Sequence, residues 1–251
     1  MDRLSQRVAI VTGGLRGIGR AIVEAFVSEG AYVLAGDLDT DGSEIERAHP
    51  GRVIYRRLDI VSDDDWAAGW AAATEAFGPV NILVNNAGTS RAGSIADTTE
   101  EDWQFVMNVN VFGTFLGTRR AVRSMEGGGT VINIASARGR RPGAATCAYS
   151  ASKAAVLSLT ESTALHCGES GLPITCNAIC PGVVETPLMR QHLDKLNDEA
   201  GLETITRRQV INRLGSPREI AHAAVFLASA EAAFIAGTAL AVDGGFTIRD
   251  N

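Results

Sequence analysis

Several classes of protein are excluded by what this sequence lacks. No stretch of its 251 residues reaches about 18 uninterrupted apolar residues, so no membrane-spanning helix is expected. Basic residues are outnumbered, 23 Lys and Arg against 29 Asp and Glu, and the formal net charge is −6. Without a basic stripe to neutralise phosphates, nucleic acid is not an expected partner. Cysteine and histidine are sparse, at four each. Cys176 and Cys180 lie four apart with no histidine close by, and Cys147, Cys167, His49, His166, His192 and His222 are scattered. No metal site is expected, and the thiols read as reduced and mostly buried. Residues 1–7 lack an apolar signal region, which points to a cytoplasmic protein. Repeats, linkers and low-complexity tracts are also missing. What remains, 45% apolar and 21% charged residues, is ordinary for a soluble globule, and the length suits one α/β domain over residues 1–251.

Short apolar, β-branched runs at 8–11, 32–35, 53–58, 80–85, 130–135, 174–179 and 239–242 read as buried strands. Helical spacing falls between them at 20–29, 63–77, 100–125, 148–166 and 217–228. This alternation predicts a single-domain Rossmann-type α/β fold, a doubly wound and mostly parallel sheet with helices on both faces. Residues 187–212 break the rhythm with two amphipathic pieces, 188–196 and 202–214, and read as a substrate-covering insert.

The first strand runs into Thr12-Gly13-Gly14-Leu15-Arg16-Gly17-Ile18-Gly19 and then into a helix whose Ile22, Val23, Phe26 and Val27 share a face. A strand, a glycine turn and a helix N-terminus make a phosphate cradle, because glycines admit the backbone to a pyrophosphate and free N–H groups face the anion. The spacing is Gly-x-x-x-Gly-x-Gly rather than the commoner Gly-x-Gly-x-x-Gly. The second strand ends at Gly36-Asp37-Leu38, 18 residues beyond Gly19. Asp37 can accept hydrogen bonds from ribose hydroxyls and would repel a 2′-phosphate, which favours NAD over NADP. Arg16, inside the turn, is the opposing signal, since it could pair with a 2′-phosphate.

Tyr149 and Lys153 stand four apart on the 148–166 helix, with Ser136 thirteen residues upstream of the tyrosine. Positions i and i+4 share a helix face. A phenol titrates near ~10 in water, and a nearby cation favours the phenolate. With a serine hydroxyl to hold the substrate oxygen, the three make a proton-transfer site for an alcohol or a ketone.

These motifs together resemble the short-chain dehydrogenase/reductase family, in its subgroup of about 250 residues, across essentially the whole chain. Thr12-Gly13-x-x-x-Gly17-Ile18-Gly19 is similar to the family's cofactor turn. Asp59-Ile60 resembles its adenine-contacting pair, with capping of the following helix as the alternative for Asp59. Asn85-Asn86-Ala87-Gly88 resembles the motif that stabilises the sheet and lies along the cofactor. Asn110 matches the catalytic asparagine, with Asn108 as a competing position, and Ser136, Tyr149 and Lys153 match the catalytic serine, tyrosine and lysine. Pro181-Gly182-Val183-Val184-Glu185-Thr186 resembles the segment that holds the nicotinamide carboxamide. The resemblance implies NAD-linked interconversion of a secondary alcohol and its ketone, the substrate being a small molecule, with Lys153 lowering the tyrosine pKa and Asn110 linking Lys153 to solvent through a water. It also implies a homotetramer or homodimer joined through 100–125 and 148–166. Residues 149–182 look somewhat like bacterial hydroxysteroid and cyclic-alcohol dehydrogenases, which leans the substrate towards a cyclic, aromatic or steroid-like alcohol. An NADPH-dependent 3-oxoacyl-type reductase, a sugar or polyol dehydrogenase and a non-catalytic dinucleotide sensor are the alternatives. Arg138, Arg140 and Arg141 read as a solvated loop or as part of the active-site rim.

Overall fold

The structure, a computed structural model, describes residues 2–187, 189, 190 and 199–249. Seven strands form one sheet: β1 (Val8–Thr12), β2 (Tyr32–Asp37), β3 (Val53–Arg57), β4 (Ile82–Asn85), β5 (Gly129–Ile134), β6 (Ile174–Pro181) and β7 (Ala239–Val242). Their order is β3-β2-β1-β4-β5-β6-β7, and every neighbouring pair is parallel. The order reverses between β1 and β4, the topological switch point at which α/β sheets open a crevice beyond their strand ends.

Successive strand residues point to opposite faces, and both faces are covered. Ala9 and Val11 of β1, Val33 and Ala35 of β2, and Ile82 and Val84 of β4 pack with α1 (Gly17–Ser28), α2 (Ser43–Ala48) and the C-terminal helix Pro217–Ala228. Val8, Ile10, Leu34 and Leu83 point the other way, towards α3 (Asp63–Phe77) and the helix Gly113–Ser124. Burial on both sides is why the strands read as continuous apolar runs. Phe26 of α1 and Trp66 of α3 are fully buried; each such side chain contributes roughly 2–3 kcal/mol. The Trp66 indole N–H donates to the Ile60 carbonyl at 2.9 Å.

The expected 100–125 helix is broken. It comprises α4 (Glu100–Met107), a π-helical turn over Asn108–Phe112, and α5 (Gly113–Ser124). The turn widens the backbone, and the Asn110 carbonyl takes the Thr114 hydroxyl at 2.7 Å. α2 was not expected: it has six residues and buries only Ile45. The expected amphipathic piece 202–214 is helical only in part, because α7 (Glu199–Thr206) ends at Thr206 and turns follow. The piece 188–196 lies outside the described residues apart from Met189 and Arg190.

α6 (Cys147–Glu169) carries the Tyr/Lys pair and is pinned to the sheet by a buried polar chain. The Asn85 amide donates to Asn133 Oδ1 at 2.9 Å and to Thr118 at 3.1 Å, and the Asn133 amide donates to Thr160 of α6 at 2.9 Å. Buried amides are stable only when paired, so this chain fixes the seating of α6 against β4, β5 and α5. The last long helix, α8 (Pro217–Ala228), begins with a full capping box between Ser216 and Glu219. No helix among the described residues is long and apolar enough to cross a membrane.

Candidate active site

At the end of β1 the chain turns through Gly13, at φ 64°, and Gly17, at φ 55°, both in the left-handed region that favours glycine. Gly19 is required for another reason: a Cβ there would lie 2.0 Å from the Gly13 carbonyl oxygen. The turn is held from three sides. Gly14 N–H donates to the Gly36 carbonyl at 3.1 Å, and Leu15 N–H donates to Asp37 Oδ2 at 3.2 Å. The Asn86 amide donates to the carbonyls of Thr12 (2.8 Å) and Gly13 (3.2 Å). The Thr12 hydroxyl in turn accepts the N–H groups of Asn86 and Ala87, each at 3.0 Å. Asn86 therefore spends its amide on the turn itself.

Arg16 precedes α1 without a side-chain cap, and the first turn of α1 has no acid. The leading N–H groups of α1 are thus left for an outside acceptor. A glycine cradle that excludes side chains, together with an uncapped helix start at the switch point, fits the pyrophosphate of a dinucleotide.

Asp37 sits beside this turn at the end of β2, with Oδ1 accepting the Leu38 N–H at 2.8 Å. Leu38 is exposed beside it. Arg16, the residue that could favour a 2′-phosphate, is paired with Asp39 at 2.8 Å. The Tyr55 hydroxyl donates to the carbonyls of Asp37 and Asp39 and so steadies this loop. Asp59 does not cap α3. Ser62 does, accepting the Asp65 N–H, while Asp59 Oδ1 takes the Val61 N–H at 3.2 Å. The Ile60 side chain turns into the core, close against Gly113. On the far side of the cradle, 181–186 is held by Gln209, whose Oε1 accepts Val183 N–H at 2.8 Å. Val184 bridges to Gly215, and the Thr186 hydroxyl accepts Met189 N–H at 3.2 Å, so Thr186 does cap the turn that follows it. The Thr186 methyl lies 3.5 Å from where a Cβ on Gly17 would stand, Gly182 packs beside Asp243 and Gln209, and Pro181 pairs with Val242 of β7.

The second cluster lies at the same edge of the sheet. Ser136 follows β5, its hydroxyl accepts Arg138 N–H at 3.1 Å, and it pulls the pKa of the Tyr149 phenol down. Lys153 is 5% exposed, and its Nζ donates to the Ile134 carbonyl at 2.8 Å. Asn110 is fully buried; its Oδ1 accepts Thr89 N–H at 2.8 Å, and its amide donates to the Thr89 carbonyl and to Ser152, each at 2.9 Å. Ser152 also donates to the Tyr149 carbonyl at 2.7 Å. Gly88 is where these groups meet: a Cβ on it would stand 3.1 Å from Asn110 Oδ1 and 3.4 Å from Lys153 Nζ. The π-helical turn thus places Asn110 with Lys153 and leaves Asn108 exposed.

The electrostatics differ from the sequence expectation. Burial pushes the Tyr149 phenol up, and only the Ser136 hydrogen bond and the charge of Arg138 pull it back. The Lys153 Nζ is turned to the Ile134 carbonyl, 5.8 Å from the centre of the Tyr149 ring. Lys153 itself is pushed down to about 8 by burial. A depressed lysine pKa means the folded state disfavours the ammonium, so the penalty is full below about pH 8 and gone above the ordinary value near 10.5. At about 3 kcal/mol it is of the same size as the roughly 1.5–3 kcal/mol of a hydrogen bond from a charged donor, which Lys153→Met would also remove. The change in melting temperature on Lys153→Met is therefore expected to be more unfavourable at pH 10 than at pH 7. An equal change at both values would count against this balance.

The family model described as enoyl-(acyl carrier protein) reductase matches residues 13–247. The chain belongs to the short-chain dehydrogenase/reductase family. It is 40% identical over 253 residues to a 2-(R)-hydroxypropyl-CoM dehydrogenase of Xanthobacter autotrophicus, covering 96% of this chain and 98% of the relative. It is 38% identical to a 3-alpha-(or 20-beta)-hydroxysteroid dehydrogenase of Mycobacterium bovis, covering 97% and 90%. An NADP-dependent (R)-specific alcohol dehydrogenase of Lentilactobacillus kefiri is 37% identical, covering 99% of each chain. This member of the family is an oxidoreductase that acts on CH–OH groups and interconverts an alcohol and its ketone.

Sequence reasoning passed over several residues of the site. Thr12 stands in its motif with no chemistry of its own, and Ser152 reads as any helical serine between Tyr149 and Lys153. Gln209 and Phe246 carry no local signal, because what they touch lies far away in the chain. Gln209 holds Val183, and the Phe246 ring lies 4.9 Å from the Arg138 guanidinium carbon. Arg138 is half-buried at the rim, while Arg141 reaches the Phe246 and Arg249 carbonyls and Arg140 is exposed.

Proposed function

We propose that this protein is an NAD-dependent dehydrogenase of secondary alcohols in which Tyr149 is the acid and base. The observation that supports it most directly is that Lys153 Nζ meets Asn110 beside Gly88 and lies 5.8 Å from the centre of the Tyr149 ring, whose phenol feels Ser136. Ser136 holds the reacting oxygen, and Tyr149 takes its proton in oxidation and returns it in reduction. Lys153 holds the nicotinamide ribose and supplies a cation to the phenol. Asn110 holds a water between Lys153 and solvent. Gly13, Gly17, Ile18 and Gly19 hold the pyrophosphate, Asp37 and Leu38 the adenosine ribose, Asp59 and Ile60 the adenine, and Pro181, Gly182, Val184 and Thr186 the carboxamide. Asn86, Ala87 and Gly88 line the cofactor's path between the two ends. When bound, the nicotinamide supplies the hydride acceptor or donor, and in its oxidised form a positive charge. Bringing the phenol from ~10 to near neutrality takes about 3 units, or roughly 4 kcal/mol. Burial of the phenol opposes this, and the positive charge of the oxidised nicotinamide would favour it.

NADH and NADPH binding tests the cofactor assignment, with bound reduced nicotinamide as reporter and Trp66, Trp70 and Trp103 as energy donors. Asp37 and the engagement of Arg16 by Asp39 favour NADH. The expected preference is about tenfold or more, since a carboxylate against a 2′-phosphate costs at least ~1.4 kcal/mol. Asp37→Ala should raise NADP use, and an unchanged ratio would argue against this role. A wild-type preference for NADPH would support the second reading, a biosynthetic ketoreductase. Arg16 and the NADP-dependent Lentilactobacillus relative favour that reading.

The substrate reading is a cyclic, aromatic or steroid-like secondary alcohol, in keeping with the hydroxysteroid relative. A panel in which sugars turn over and every cyclic alcohol is inert would reverse it. The remaining proposals are a cytoplasmic location, a covering role for residues 187–212, and a homotetramer or homodimer. Phe105, Phe112 and Phe115 are 42%, 44% and 38% exposed on the α4–α5 face, and exposed apolar surface of this kind favours a subunit contact. A concentration-independent species at the 26.4 kDa chain mass in sedimentation would refute the assembly.

A further inference from the structure

We propose that Gln209 is a positioning residue for the nicotinamide end of the bound dinucleotide, acting through the Val183 N–H. The inference rests on the dehydrogenase reading above, in which 181–186 holds the carboxamide, and adds a residue to which that reading gives no role.

Gln209 stands in a turn, three residues beyond the end of α7, yet it is only 2% exposed. A buried amide is stable only when both of its ends are paired. Here Oε1 accepts the Val183 N–H at 2.8 Å, and the amide nitrogen donates to the Arg213 carbonyl. The backbone of the residue is held as well. Its N–H donates to the Thr206 carbonyl at 3.0 Å, and its carbonyl accepts the Asn212 N–H at 3.0 Å and Arg249 Nη1 at 2.7 Å. Two glycines make room for the side chain. A Cβ on Gly182 would stand 2.4 Å from Gln209 Oε1, and one on Gly244 would stand 3.4 Å from Gln209 Cβ. The acceptor offered to Val183 is therefore fixed by bonds at both ends of the amide and by packing on its flanks.

The segment that Gln209 holds touches both halves of the site. At one end the Thr186 methyl lies 3.5 Å from the place of a Cβ on Gly17, in the glycine turn. At the other it leaves β6, whose Ile179 pairs with Ile134 of β5, the strand that delivers Ser136. The rest of its main chain is tied by backbone bonds. Gly182 N–H donates to the Val242 carbonyl at 3.1 Å, Gly215 N–H to the Val183 carbonyl at 2.9 Å, and Glu185 N–H to the Gly215 carbonyl at 2.8 Å. Among the described residues, the Val183 N–H is the main-chain donor of 182–185 that depends on a side chain, and the Val184 N–H is the one with no protein acceptor. Peptide units are rigid planes hinged at each Cα. Gln209 fixes the plane before Val183, and Gly215 fixes the plane after it, which carries the Val184 N–H. Both are needed to give that donor one direction, so losing Gln209 frees the hinge beside the nicotinamide end and leaves the phosphate turn untouched.

The test compares NADH with ADP-ribose, the same molecule without its nicotinamide ring, each titrated calorimetrically. If NADPH is the preferred cofactor, NADPH and 2′-phospho-ADP-ribose take their places. Gln209→Met keeps the length of the side chain and removes the acceptor. NADH should then bind about five- to tenfold more weakly, the scale of one lost hydrogen bond, while ADP-ribose affinity stays within about twofold. Gln209→Glu keeps an acceptor for Val183 and loses the donor to Arg213, so it should recover part of the NADH affinity. Gln209→Asn stands as the second variant if Gln209→Met fails to fold: it is still polar, but one methylene too short to reach Val183, and the same selective loss is expected. A general loosening of the fold would weaken both ligands alike, and that result overturns the proposal. So does an NADH affinity that the shortened or apolar side chain leaves unchanged. A parent protein that binds neither NADH nor NADPH sinks the dehydrogenase reading and this role with it, whereas variants that match a dinucleotide-binding parent sink this role alone.

Discussion

Tyr149→Phe should fold, bind NADH as the parent does, and lose nearly all turnover. The substitution removes one hydroxyl and nothing from the ring, so the packing of α6 against the sheet is preserved. What disappears is the hydroxyl that, on the proposed reading, exchanges a proton with the substrate oxygen. General acid–base catalysis by a positioned side chain is worth about 10²- to 10⁴-fold, and the loss should fall in that range or beyond. It should appear in kcat rather than in KM, because the interaction lost belongs to the transition state. Retention of more than about a tenth of the activity would end the assignment of Tyr149 as acid and base. The pH profile adds an independent reading. Because burial raises the phenol and Arg138 lowers it, Arg138→Ala should move the limb governed by Tyr149 to higher pH, with oxidation then reaching its plateau later. A profile that stays in place would remove Arg138 from the electrostatics of the site.

Gly19→Ala carries the second large effect, on the other half of the site. Its Cβ would stand 2.0 Å from the Gly13 carbonyl oxygen and 2.5 Å from the Asn86 amide nitrogen, far inside van der Waals contact. Both are parts of the turn itself: Asn86 is the clamp that ties Gly13 to β4, and neither can withdraw without opening the cradle. The expected result is a loss of dinucleotide affinity of about 100-fold or more, the scale of losing several backbone hydrogen bonds to phosphate together. An overpacking cost of about 1–3 kcal/mol in stability should accompany it. Gly168→Ala in α6 is the control. Nothing lies within 4 Å of a Cβ there, so the change should leave NADH affinity untouched and stabilise by up to about 1 kcal/mol. Titration of NADH against both variants reads the difference, and parent-like affinity in Gly19→Ala would show that the turn tolerates what its geometry forbids.

The sequence shows some features of this protein plainly and others hardly at all. The central strands are visible because they are buried on both faces and must be apolar throughout, whereas the edge strand β3 ends in the exposed Arg56 and Arg57. The glycine turn is visible because left-handed backbone and close approach admit little else. Helix α2 is too short to show a periodicity, with one buried residue in six. The break at Asn108–Phe112 leaves no mark, since Asn, Val and Phe occur in helices of every kind and the π-helical turn is decided by what Asn110 and Thr114 can bond once folded. The choice between Asn108 and Asn110 belongs to the same class. Both were candidates in the chain, and the turn buries one and exposes the other.

Local spacing alone determined the apolar strand runs, the glycine turn and the placing of Tyr149 and Lys153 on one helix face, because each depends on residues within about one or two turns of one another. Tertiary structure decided the rest. It turned Lys153 to the Ile134 carbonyl, away from the phenol, set Asp39 against Arg16, and brought Phe246 from the far end of the chain to support Arg138. The physical reason is desolvation. A charge in an unfolded chain is indifferent to its distant neighbours, whereas a buried one must find a hydrogen bond, a counter-charge or an aromatic face among whatever the fold delivers, and only the closed sheet and its helices specify what that is.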